Sequence, residues 1–134
     1  MSKPKVLVAD DDEDIRDAIV FILQRGGYQV VEAVDGREAL DYVLASGLPH
    51  LILLDMNMPV MSGRELMSEL RARGLTGAPI VVITAAYDAQ RTAEEIGAAG
   101  FIGKPFDLEV LLETVGRHIG SGLIGPIPRR EPSP

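Results

Sequence analysis

The chain has no cysteine, which excludes a disulfide framework and thiolate metal sites and agrees with a reducing compartment. It also lacks any apolar stretch near the ~20 residues needed to cross a bilayer, and Met1-Ser2-Lys3-Pro4-Lys5 has no apolar core of a secretory signal. A cytoplasmic protein without membrane contact is expected. Basic residues are scarce beside acidic ones, 13 against 20, for a formal net charge of -7. That balance argues against direct nucleic-acid binding, which needs a basic surface to displace counterions.

What is present suits one domain. The 134 residues, 46% of them hydrophobic, can bury a core but are too few for two ordinary domains. The composition shifts at Ser121, after which come Pro126, Pro128, Pro132 and Pro134 of the 9 prolines. Residues 1–120 therefore read as the domain and 121–134 as a proline-rich linker or disordered tail.

Apolar runs and amphipathic stretches alternate along the domain. Lys5 to Ala9 reads as a strand, followed by a helical face of Ile15, Ala18, Ile19, Ile22 and Leu23 that ends at Gly26-Gly27. Tyr28 to Ala33 is a second strand, and Asp35-Gly36 leads into a helix with Ala39, Leu40, Val43 and Leu44 on one side. Leu51-Ile52-Leu53-Leu54-Asp55 is an unbroken apolar run ending in a carboxylate. Such a run is the habit of strands buried on both faces, although periodicity alone also allows a short buried helix. Arg64 to Arg73 gives a helix, Ile80 to Ile83 a fourth strand ending at Thr84, and Ala85 to Ala99 an alanine-rich helix with Ile96 as its one large aliphatic. Gly100 to Gly103 is a short strand ending at Lys104-Pro105, and Leu108 to Ile119 a last helix offering Leu108, Leu111, Leu112, Val115 and Ile119 to the core. Alternation of this kind predicts an α/β fold with five parallel strands and helices on both faces.

In such sheets the chemistry collects beyond the carboxyl ends of the strands. There the sequence sets Asp10 and Asp11, then Asp55, Thr84 and Lys104. Taken one at a time these have ordinary explanations: a turn aspartate, a β-branched strand residue, a solvated lysine. One of Asp11 and Asp12 is also expected to cap the first helix. Together they make a set confined to strand ends. Three gathered carboxylates repel and raise one another's pKa unless a cation joins them, and oxygen-only donors favour a hard ion such as Mg²⁺. A carboxylate left free could then act as nucleophile toward a phosphoryl group, aided by a lysine and a hydroxyl.

The chain resembles the receiver domains of two-component response regulators over about residues 4–120. The resemblance rests on Val6-Leu7-Val8-Ala9-Asp10-Asp11-Asp12, Leu54-Asp55-Met56-Asn57-Met58-Pro59 with Gly63, Ile83-Thr84-Ala85, and Phe101-Ile102-Gly103-Lys104-Pro105-Phe106. It implies strand order 2-1-3-4-5 in a flavodoxin-like, doubly wound sheet. It further implies that Asp55 accepts a phosphoryl group from a histidine kinase or phosphotransfer protein, with Mg²⁺ held by Asp10, Asp11, Asp55 and the Asn57 backbone carbonyl. Thr84 corresponds to the switch hydroxyl, Phe101 to the aromatic that turns inward on activation, Lys104 to the phosphate-pairing lysine, and Lys104-Pro105 to a cis peptide bond. The output is expected to be a changed surface over residues 85–119, read by an unknown output protein or domain. The chain would catalyse only its own phosphoryl uptake and loss. Three rivals share the winding. A dehalogenase-type phosphatase wants a further acidic pair on a strand after the lysine; a nucleotide carrier wants a glycine- or hydroxyl-rich loop where Asp10-Asp11-Asp12 stands; a receiver-like binding module need not keep all five groups.

Overall fold

The computed structural model describes residues 3–119; the proline-rich segment 121–134 lies outside them. The element order is β1 (Lys5–Ala9), α1 (Glu13–Arg25), β2 (Gln29–Ala33), α2 (Gly36–Ser46), β3 (Leu51–Asp55), α3 (Gly63–Ala72), β4 (Ile80–Ala85), α4 (Ala86–Ile96), β5 (Gly100–Lys104) and α5 (Leu108–Ile119). The five strands form one parallel sheet ordered β2-β1-β3-β4-β5. This is the expected winding.

The sheet divides the core in two. Leu7, Ile52, Leu54 and Val82 face Leu40, Leu66 and Leu70 of α2 and α3, whereas Val6, Val8, Leu53, Ile83 and Ile102 face Ile19 and Leu23 of α1 and Leu111 and Val115 of α5. All five residues of β3 are buried, which settles the open choice between strand and helix for that run. Each fully buried aliphatic contributes roughly 1.5–3 kcal/mol.

Several apolar assignments differ. Leu44 and Leu108 were expected to face the core, yet each is half exposed. Leu44 ends the stripe of α2 one position beyond Val43, and Leu108 opens α5 before its buried side begins at Leu111. Ala18 is also exposed, and Ile15 and Ile22 only partly buried. Phe101 is 43% exposed on β5.

Helix ends are built by local chemistry. The Asp12 side chain accepts the Ile15 N–H at 3.1 Å and caps α1. At α3, Ser62 Oγ accepts the Glu65 N–H at 3.2 Å while Glu65 Oε1 accepts the Ser62 N–H at 2.9 Å, a reciprocal capping box. Ser62→Ala should cost about 1 kcal/mol, read as a lower urea midpoint at unchanged slope. An unchanged midpoint would mean that water replaces the cap without loss. By contrast, the residue before α4 is Ala85, which offers no side-chain cap, and Ile96 is the helix's one large buried aliphatic. The described glycines with positive φ are Gly27, Gly47, Gly74 and Gly97, and each sits in a turn leading from a helix into the next strand.

Candidate functional site

Register brings the polar residues together. Ala9 pairs with Leu54, so Asp10 and Asp55 leave adjacent strands side by side. Asp55 pairs with Ile83, and Ala85 with Lys104, so Thr84 and Lys104 finish at the same rim. Asp10, Asp11 and Asp55 each offer a carboxylate oxygen, and these atoms all lie within 4.8 Å of one another. Asp10 and Asp55 are buried and Asp11 is exposed, so the cluster opens to solvent on one side.

Cations only partly answer this charge. Lys104 Nζ stands 3.5 Å from Asp55 Oδ1 and 3.6 Å from Asp10 Oδ2, beyond ordinary hydrogen-bond length. Asp10 Oδ1 accepts the Asp12 N–H at 2.9 Å, while Asp10 Oδ2, buried, has no hydrogen-bond partner. The Asn57 N–H reaches Asp55 Oδ1 at 3.4 Å. Burial, followed by repulsion from Asp10, pushes the Asp55 carboxyl from its ordinary 3.8 up to about 6; Lys104 and the Asn57 N–H pull it down, and Asp11 adds a smaller upward push. A buried carboxylate oxygen without a hydrogen bond, beside two further carboxylates, is the donor set of a hard divalent cation. The residues fit such an ion.

The loop after Asp55 is tightly seated. A Cβ at Gly63 would lie 2.8 Å from the Asp55 carbonyl oxygen and 2.9 Å from Met56 Sδ, so only glycine lets α3 begin this close to the end of β3. Between them Val60 has φ 67 and is 79% exposed, a strained conformation for a β-branched residue. Thr84 is buried at the end of β4. The Lys104-Pro105 bond is cis, as the resemblance implies. Phe101 points outward.

One contributor escaped the sequence. Arg16 of α1 donates from Nη1 to the Asp10 carbonyl at 2.8 Å and from Nε to Glu32 Oε1 on β2 at 3.1 Å. Nothing in its spacing distinguishes it from any other helical arginine.

With this geometry in hand, comparison with known proteins is direct. Residues 6–116 match the family described as response regulator receiver domain, and the chain belongs to that family. It is 39% identical over 116 residues to response regulator protein FleR of Pseudomonas aeruginosa, covering 85% of this chain and 24% of that one. It is 42% identical over 110 residues to response regulator MprA of Mycolicibacterium vanbaalenii, covering 81% and 47%. The chain thus spans about a quarter of the first of these relatives and about half of the second. Among solved structures, chemotaxis protein CheY4 of Vibrio cholerae is similar with a TM-score of 0.77 at 36% identity, over 87% of this chain and 99% of that one. The dehalogenase-type reading gains nothing from the fold: among the described residues no strand follows β5. Nor, among them, is any helix long and apolar enough to cross a membrane.

Proposed function

We propose that this domain is a phosphorylation switch in which Asp55 takes a phosphoryl group from a histidine kinase or phosphotransfer protein. The observation that carries the reading is Asp55 itself, a buried carboxylate raised to about 6 beside Asp10 and 3.5 Å from Lys104. At neutral pH it is mostly ionised, yet more basic than an ordinary aspartate, which suits a nucleophile. Asp10, Asp11, Asp55 and the Asn57 carbonyl would hold Mg²⁺, whose charge would offset that of the cluster and of the incoming phosphoryl oxygens.

In the transfer, an Asp55 carboxylate oxygen forms the O–P bond as the N–P bond of a phosphohistidine breaks. The leaving imidazole keeps the electron pair and takes a proton from solvent. Lys104 offers its ammonium to one phosphoryl oxygen and the Thr84 hydroxyl donates to another. The added group carries about −1.5 to −2 charge and three strong acceptors. Thr84 then moves toward it, Phe101 turns into the space released, and the surface of residues 85–119 changes for an output protein or domain. The missing cap and thin apolar anchoring of α4 suit an element that shifts at low cost. A cytoplasmic setting belongs with this reading.

The test uses a small-molecule phosphodonor. With Mg²⁺, intact-mass measurement should find one added acid-labile phosphoryl group per chain, and with EDTA none. Steady turnover of an unrelated phosphomonoester without a phosphorylated protein species would instead point to a phosphatase.

A further inference from the structure

We infer that Arg16 is a positioning residue for the metal-binding turn, holding the main chain of Asp10 through its carbonyl while Glu32 holds the guanidinium. The inference rests on the proposed cation site. Asp10 lies just past the end of β1, where ladder pairing stops. Its N–H is tied to β2 by a 3.1 Å bond to the Ala33 carbonyl, and its C=O is tied to α1 by the 2.8 Å bond from Arg16 Nη1. Both backbone groups of the residue are thereby fixed from opposite sides. On the side chain, Oδ1 takes the Asp12 N–H and Oδ2 is left without a hydrogen bond. That oxygen, met only by the Lys104 ammonium at 3.6 Å, is the one available to a divalent cation.

Arg16 is not an ordinary surface charge. Its side chain is 12% exposed while its partner Glu32 is 45% exposed, so the ion pair reaches inward from the edge strand. Glu32 pairs with Val8 in the sheet register, which fixes its backbone, and Nε bonding to it turns Nη1 toward Asp10. Arg16 makes the two bonds from two nitrogens held apart in one rigid plane; a lysine ammonium has donors enough but on a single nitrogen, without that fixed spread.

Two readings of Arg16 predict opposite signs. If it acted only as a positive charge near the acidic cluster, it would compete with a divalent cation, and its removal would tighten Mg²⁺ binding. If it positions Asp10, its removal loosens the turn and weakens binding. Loss of an outer partner of a ligating residue typically weakens metal binding at least tenfold.

The test is calorimetric titration of the full chain with MgCl₂, comparing wild type, Arg16→Ala, Arg16→Lys and Glu32→Ala. Positioning predicts that Arg16→Ala and Arg16→Lys both weaken Mg²⁺ roughly tenfold, with a smaller loss in Glu32→Ala. In metal-free Arg16→Lys, a variant that keeps the charge, the amide resonances of Asp11 and Asp12 should shift while the melting curve shows a folded domain. Affinity unchanged or tightened in Arg16→Ala, or wild-type affinity in Arg16→Lys, would overturn the inference and leave the switch reading intact. A wild-type chain that binds no Mg²⁺ would overturn both.

Discussion

Asp55→Asn will lose phosphoryl uptake by roughly 10³-fold or more, whether the donor is a kinase or a small molecule. The substitution removes the ionisable oxygen and keeps the shape, so neither a cavity nor a clash enters the result. Asparagine's amide oxygen is a poor nucleophile at neutral pH, and no acyl phosphate of ordinary stability forms on it. Asp10 and Asp11 stay in place, and the variant should still contain the Lys104 and Thr84 contacts expected to meet phosphate. The check is acid-labile phosphate by intact mass after equal exposure to donor and Mg²⁺, with the modified peptide located in the wild type. Labile phosphate on the variant, or a wild-type adduct mapping away from Asp55, would remove the central claim.

The same substitution should stabilise the metal-free fold, by an amount that depends on pH. Asp55 titrates near 6 when folded and near 3.8 when unfolded. Below about 3.8 both states hold the proton and the carboxyl costs nothing on this account. Between those values the unfolded chain has released its proton while the folded one retains it, so stability falls as pH rises. Above 6 both are ionised and the loss has levelled off, at an order of magnitude of 3 kcal/mol. Asparagine does not titrate, and all other groups are common to both proteins. In EDTA, urea unfolding should therefore give nearly equal stabilities near pH 4 and a variant more stable by a few kcal/mol at pH 7. Saturating Mg²⁺ should shrink the gap, because binding to the folded wild type adds stability that the variant gains less of. A pH-independent difference would mean that the Asp55 carboxyl is not held in the destabilised state the geometry describes. One residue is then both the chemical centre and a stability defect, the usual sign of a functional group held against its preference.

Much of this was legible from residue order because the physics involved is local. Burial on both faces made Leu51 to Leu54 apolar without alternation, and the residue beyond such a run has to be the strand end. That one of Asp11 and Asp12 caps α1 was readable for the same reason, and the structure gives the role to Asp12. Ser62-Gly63-Arg64-Glu65 carries the spacing of a capping box, so the start of α3 at Gly63 is also written in local order. Leu44 and Leu108 show the limit of periodicity, which locates the centre of an apolar stripe better than its width. Arg16 was beyond reach, since its partners lie on β1 and β2 and only their adjacency in space gives it a role. The convergence of Asp10, Asp55, Thr84 and Lys104 depended on strand order, which came from the resemblance and which the sheet bears out.

Among the described residues, the left-handed glycines lie at the rim opposite Asp55, one in each return from helix to strand. The two ends of the barrel-less sheet therefore fail differently. Loss of a reactive carboxylate, as in Asp55→Asn, leaves a folded protein that is mute, whereas a side chain forced onto those return turns attacks the scaffold and spares every reactive group. A screen that sorts variants into silent-but-soluble and poorly expressed would put the reactive carboxylates in the first group and the return-turn glycines, with Gly63, in the second.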